Sequence, residues 1–175
     1  TVTYLFEGAM QHSDSTGVVQ RIEPGAINWM TSGRGVVHSE RTPQDLRGRP
    51  RRSHGLQLWV ALPEADEEVA PSFSHTPETA IPRWAWGGVS ARVLIGSAWG
   101  VTSPVPTRSA TLYLDLQLPA GSAISLLPQW AQERALYAID GACKLGGETV
   151  APQTMAVLPA GEEVQLSAQA NTRCV

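Results

Sequence analysis

The chain has 175 residues, of which 42% are hydrophobic and 17% charged, a composition that excludes disordered and collagen-like classes and fits one large or two small globular domains. Thirteen Lys and Arg stand against 16 Asp and Glu, a net charge of -3, so bulk electrostatics supply no attraction to nucleic acid or to an anionic membrane. No stretch is long and apolar enough to span a bilayer as a helix, and Cys143 and Cys174 have neither the spacing of a disulfide framework nor that of a zinc knuckle. Two buried thiols suit a reducing compartment, and a cytoplasmic location is expected.

In chain order, Thr1-Val2-Thr3-Tyr4-Leu5-Phe6-Glu7 reads as a strand, with neither the basic start nor the cleavage site of a leader. Turns follow at Ser15-Thr16-Gly17 and Pro24-Gly25. An extended segment then runs Gly33-Arg34-Gly35-Val36-Val37-His38-Ser39-Glu40. From Arg41 to Trp86 the pattern is less regular. It holds the basic run Arg47-Gly48-Arg49-Pro50-Arg51-Arg52, the strand-like segment from Leu56 to Leu62, and acids from Glu64 to Glu68. The arginines lie among Gly, Pro and nearby acids and read as a solvated loop, and His75 reads as a loop residue. Further on, Leu112, Leu114, Leu116 and Leu118 alternate with Tyr113, Asp115 and Gln117, the period of a strand with one buried face. Turns at Pro119-Ala120-Gly121, Asp140-Gly141, Gly146-Gly147 and Pro159-Ala160-Gly161 complete an all-β sandwich or barrel pattern.

Tyr4-Leu5-Phe6-Glu7-Gly8-Ala9 and Tyr137-Ala138-Ile139-Asp140-Gly141-Ala142 share Tyr, an acid, Gly and Ala in one register. Each copy is followed by a polar turn and a run ending in a Pro and Gly turn, Ile22-Glu23-Pro24-Gly25 in the first and Leu158-Pro159-Ala160-Gly161 in the second. Two related barrels in tandem account for this, over residues 1–86 and 87–175. Aligning Tyr4 with Tyr137 leaves the segment from Leu127 to Glu133 without a partner, which would stand before Thr1. It also sets Val175 opposite Val36 to Ser39, so the expectation is a chain trimmed at both ends.

Neighbouring even positions of a strand face one way, so His38 and Glu40 can converge on one ion. A mixed imidazole and carboxylate pair suits Fe, Mn, Ni, Cu or Zn, with positions left open. Taken alone, such a pair is common, and a surface or satisfied core pair is the expected reading.

The segments Thr1-Val2-Thr3-Tyr4-Leu5-Phe6-Glu7-Gly8, His12-Ser13-Asp14-Ser15-Thr16-Gly17 and Pro24-Gly25-Ala26-Ile27-Asn28-Trp29-Met30-Thr31-Ser32-Gly33-Arg34-Gly35-Val36-Val37-His38-Ser39-Glu40 closely resemble the signature of the pirin family, and His54 to Pro63 matches its next block. The resemblance implies a bicupin, two tandem double-stranded β-helix barrels, whose first barrel holds one divalent metal, most often Fe(II). Its ligands would be His38, Glu40 and two histidines of a His-x-His segment expected before Thr1. Glu40 would also serve as a catalytic proton acceptor. The family counterpart of His12 is not a ligand, and a solvent-facing imidazole beside Asp14 is expected there, with ligation by His12 ranked low. His54 and Gln57 are expected to support a ligand or line the cavity. Trp29, Met30 and Trp59 would form its apolar wall or pack the core. No histidine follows His75, so a structural role is expected of the second barrel. The implied activity is that of quercetin 2,3-dioxygenase, with a flavonol and dioxygen as substrates. The alternatives are a metal-responsive regulator that binds a protein partner, or a fragment left inert by an incomplete site.

Overall fold

The computed structural model describes all residues from Thr1 to Val175, and the chain folds into strands joined by turns and four single-turn 3-10 helices. Its contacts divide it into two compact units, Thr1–Ile81 and Pro82–Val175. No helix is long and apolar enough to cross a membrane.

The first unit contains β1 (Val2–Glu7), β2 (Met10–Asp14), β3 (Val19–Ile22), β4 (Ile27–Thr31), β5 (His38–Arg41), β6 (His54–Leu58) and β7 (Ser72–Thr76). They form two antiparallel sheets, in the orders β6-β1-β4-β7 and β3-β2-β5. Val2, Tyr4, Ile22 and Ile27 are fully enclosed, and every residue of β4 is buried. A strand buried along its whole length is apolar on both faces, as Ile27, Trp29 and Met30 make this one. The run from Arg47 to Arg52 lies exposed between β5 and β6.

The second unit contains β8 (Arg83–Trp86), β9 (Val89–Ile95), β10 (Ser97–Ala98), β11 (Val101–Thr102), β12 (Tyr113–Leu118), β13 (Ala123–Leu126), β14 (Ala135–Asp140), β15 (Cys143–Leu145), β16 (Glu148–Val150), β17 (Met155–Val157), β18 (Val164–Ala168) and β19 (Thr172–Cys174). Two sheets, in the orders β17-β14-β19-β12-β9-β8 and β13-β18-β15-β16, enclose a core rich in Leu, Val and Ala that also takes in both cysteines. The alternation along β12 is only half realised. Leu114, Leu116 and Leu118 enter the core as expected, but Tyr113 and Asp115 are buried too. Asp115 tolerates burial because the Arg173 guanidinium grips both its oxygens, Nε at 2.9 Å and Nη2 at 2.6 Å.

The sequence repeat is a repeat of topology. Strand β1 pairs with β4 and β6, and β2 with β3 and β5. In the same way β14 pairs with β17 and β19, and β15 with β16 and β18. Tyr4 faces Ile27 as Tyr137 faces Met155, and both β1 and β14 carry an irregularity just before the repeated acid. The repeated glycines explain themselves. Gly8 and Gly141 have φ of +89° and +77°, and a Cβ on either would press against a backbone carbonyl, Arg52 O at 2.6 Å or Asn171 O at 2.5 Å.

Pairing corrects two details of the register read from sequence. The counterpart of Pro24-Gly25 is Pro152-Gln153, because Gly25 N donates to Leu5 O as Gln153 N donates to Ala138 O. The Pro159-Ala160-Gly161 turn instead joins β17 to β18. Val175 exchanges both backbone hydrogen bonds with Tyr137, the place Leu56 holds opposite Tyr4, rather than the place of Val36 to Ser39. The slip arises because the β5–β6 connection, residues 42–53, is much longer than residues 169–171 between β18 and β19. Strands β12 and β13 have no counterpart in the first unit, so β6 and β5 are edge strands there, while β19 and β18 are each paired on both sides.

Gln153 keeps a left-handed φ of +60° that glycine holds at the matching turn. Gln153→Gly is therefore expected to leave stability unchanged or raise it by up to about 1 kcal/mol, whereas Gly141→Ala costs about 2 kcal/mol or more. Urea unfolding of the two variants beside the parent checks both values.

Candidate metal centre

Antiparallel pairing of β2 with β5 sets His12 opposite Glu40 and Asp14 opposite His38. Opposed residues of antiparallel strands point to the same face, as do residues two apart along one strand, so all four side chains share one face of the sheet. One potential ligand atom from each of His12, His38 and Glu40 lies within 4.8 Å of the others. His12 is buried, Glu40 half-buried and His38 exposed. Two imidazoles and a carboxylate at this spacing fit a borderline divalent transition-metal ion, with positions left for other ligands.

The expectation of a solvent-facing His12 is corrected: the residue is only 1% exposed. Its ring lies between Phe73, at 4.3 Å and 20°, and His38, at 5.7 Å and 30°. His12 Nε2 makes a 2.9 Å hydrogen bond to Asp14 Oδ2. The other oxygen, Asp14 Oδ1, accepts from Thr16 N at 2.8 Å, Thr16 Oγ1 at 2.6 Å and Val18 N at 3.3 Å. Burial works to raise the Asp14 pKa, but the bonds from Thr16, His12 and Val18 outweigh it and hold the carboxyl down at about 2. An ionised Asp14 can only accept, so His12 donates from Nε2, and in the neutral ring Nδ1 carries the lone pair.

Glu40 is held from β6. Gln57 Nε2 donates to both Glu40 oxygens at 2.9 Å and to Thr3 Oγ1 at 3.1 Å. The Thr3–Gln57 pairing in the β1–β6 ladder places that amide. His38 is set by the loop before it. Ser15 N donates to Val37 O, Val37 N donates to Ser15 Oγ, and Arg34 N donates to Val69 O at 3.0 Å. Gly33 has φ +50°, and a Cβ there would collide with the Val69 carbonyl, so this close approach requires glycine.

His38 also borders a cleft of about 420 Å³ whose wall includes Trp29, Met30, Val36, Trp59 and Glu67. Trp29 and Met30 are buried, whereas Trp59 is 89% exposed and so is no core residue. His54 stands with its ring against Phe6, centroids 5.0 Å apart, outside the cleft lining. His75 is a strand residue on β7 rather than a loop residue, and its Nδ1 lies 2.7 Å from Asn28 Oδ1. Burial lowers its pKa. In the second unit the positions matching His12, His38 and Glu40 are Leu145, Val164 and Leu166, all buried in that unit's core.

Sequence reading passed over Asp14, Thr16, Phe73 and Glu67 as parts of the site. For the first two a signal existed, since His-x-Asp shares a strand face and Asp-x-Thr favours a side-chain-capped turn. Phe73 and Glu67 arrive from distant segments and leave no local trace.

Tandem all-β barrels, one with a His, His and Glu group on its sheet face, define a cupin-type protein of bicupin organisation. The pirin family model matches residues 1–60. A pirin-like protein of Caulobacter vibrioides is 41% identical over 169 residues, covering 96% of this chain and 58% of that protein. Pirin of Mus musculus is 37% identical over 171 residues, covering 95% and 57%. The crystal structure of quercetin 2,3-dioxygenase from Acinetobacter baumannii superposes with a TM-score of 0.91 at 27% identity, over 99% of this chain and 62% of that one. The chain belongs to the pirin family, and it spans a little under three fifths of the length of these curated relatives.

The low pKa of Asp14 has a defined consequence. Its carboxyl titrates near 2 in the fold against an ordinary 3.8, so its stabilisation is complete above about pH 4 and is lost as pH falls through about 2. In thermal unfolding, the stability gap between the parent and Asp14→Asn is expected to close across that window; a gap independent of pH contradicts the assignment.

Proposed function

We propose that the protein is a metal-dependent dioxygenase that opens the ring of a flavonol such as quercetin, which binds in the cleft bordered by His38. The observation that carries this reading is a cluster of two imidazoles and a carboxylate whose His38 borders a cleft walled by Trp29, Met30 and Trp59. The likeness to a quercetin 2,3-dioxygenase of Acinetobacter baumannii supports the same substrate class.

His38 and Glu40 are the residues of this chain that would hold the ion, with His12 beside them in the same group. Fe(II) is the first assignment, since a mixed imidazole and carboxylate donor set suits it, and Mn, Ni, Cu or Zn also match such a set. When bound, the ion supplies Lewis acidity toward the enolate oxygens of the flavonol. Glu40 acts as acceptor for the flavonol hydroxyl proton, and the amide of Gln57 on both its oxygens keeps the carboxylate aimed. Trp59, exposed at the cleft, offers a face for the planar substrate, while Trp29 and Met30 exclude water beneath it.

The test follows quercetin absorbance under oxygen, with Fe(II), Mn(II) or Ni(II) added to the 175-residue chain and to the longest chain its gene encodes. Metal-dependent loss of quercetin is expected in the longer protein. His38→Ala or Glu40→Gln lowers that rate at least about 100-fold. Loss that needs no metal, or no loss with any metal, sinks the proposal.

A further inference from the structure

We propose that Glu67 is a specificity-determining residue, its carboxylate accepting the two adjacent hydroxyls of a catechol ring carried by the flavonol. The inference rests on the flavonol reading above and adds to it the group that recognises the outer ring of the substrate.

The argument starts from the walls of the cleft. Its volume, about 420 Å³, falls in the range of small-molecule sites. Trp29, Met30, Val36, Trp59, Val60 and Leu62 give it a largely apolar surface, and His38 and Glu67 are the two chargeable side chains that line it. An acid on an exposed turn is ordinarily a solvated charge. Glu67 differs from its neighbours in place: of the four acids between Glu64 and Glu68, it is the one that reaches the cleft. A lone polar group on an apolar wall is what fixes the orientation of a ligand in such sites.

The backbone holds Glu67 there. Pro63 opens a single 3-10 turn, Glu64–Asp66, in which Asp66 N donates to Pro63 O at 2.8 Å and Glu67 N donates to Glu64 O at 3.3 Å. Two residues on, Val69 O accepts from Arg34 N at 3.0 Å and lies close against Gly33. The turn that carries Glu67 is thereby docked on the loop that leads to His38, so its place in the cleft is set without any bond from its side chain. That side chain is exposed and makes no hydrogen bond or ion pair within the chain. Both oxygens are open to a ligand.

The chemistry of the ligand follows from the acceptor. A carboxylate offers two oxygens side by side and no donor, and it repels anions. The matching group is a neutral pair of neighbouring hydroxyls, each giving a short charge-assisted hydrogen bond. A catechol ring has that pair and is flat enough to lie along the apolar wall. With Glu40 accepting from the flavonol hydroxyl at the metal group and Glu67 from the catechol, two carboxylates fix the substrate at two points.

The experiment measures binding to the 175-residue chain with oxygen excluded, by quenching of tryptophan fluorescence. The probes are quercetin and galangin, flavonols that differ only in the catechol hydroxyls. The parent is expected to bind quercetin about 10-fold more tightly than galangin, and Glu67→Ala to weaken quercetin to the galangin level while galangin itself is unchanged. Glu67→Gln, which keeps one acceptor oxygen and loses the charge, falls between. Near-ultraviolet circular dichroism accompanies each variant. Equal affinity of the parent for the two flavonols overturns the proposal, and so does absence of flavonol binding. Parent-like quercetin binding in Glu67→Ala, or an equal loss of both ligands in a variant with the parent spectrum, also overturns it. In the longest chain the gene encodes, Glu67→Ala raises KM for quercetin about 10-fold with kcat little changed. If Glu67 separates the two flavonols and neither is consumed, the enzymatic reading fails while this inference stands; if quercetin is consumed with a KM indifferent to Glu67→Ala, this inference fails while the enzymatic reading stands.

Discussion

The pairing of β2 with β5 is the constraint on which the rest of the candidate centre depends. Antiparallel register puts His12 across from Glu40 and Asp14 across from His38, and the pleat turns all four to one side. A slip of one residue would send the partner's side chains to the opposite face and dissolve the cluster. The register is held at both ends. Gln11 pairs with Arg41 at one end, and the backbone of Ser15 is bonded to Val37 just before His38 at the other. Outlying contacts then refine the site, with Phe73 against His12 and Gln57 against Glu40.

The second unit shows what the same frame does without this chemistry. Leu145 faces Leu166 as His12 faces Glu40, and Val164 stands in the place of His38. The three apolar side chains join a continuous core, where burial of each contributes roughly 1.5–3 kcal/mol. The polar trio in the first unit forgoes that gain. It retains burial only where hydrogen bonds compensate, as His12 does through Asp14.

Much of this organisation was visible in the sequence, for identifiable reasons. The alternation after Leu112, the spaced turns and the doubled Tyr-x-x-acid-Gly-Ala segment are local patterns, and they carry the all-β class and the repeat. The spacing of His38 and Glu40 likewise needs only strand geometry. What stayed hidden depends on pairing between distant segments. His12 read as solvent-facing because its immediate neighbours are polar, whereas its burial comes from Phe73, some sixty residues on. The turn equivalence of Gly25 and Gln153 was missed because the residue types differ while the backbone bonds agree. Burial of Tyr113 and Asp115 was missed because Arg173 arrives from the other end of the unit.

The support of Glu40 by Gln57 has a further consequence. A single amide nitrogen serves both carboxylate oxygens and a threonine hydroxyl, so Glu40 cannot rotate without releasing Gln57, and the Gln57 amide cannot swing away without giving up Thr3 Oγ1. Mechanical play at the carboxylate is thereby tied to play in β6. Whatever stiffens β6 sharpens the aim of Glu40, and whatever loosens it blurs that aim, with no change to any residue of the cluster itself.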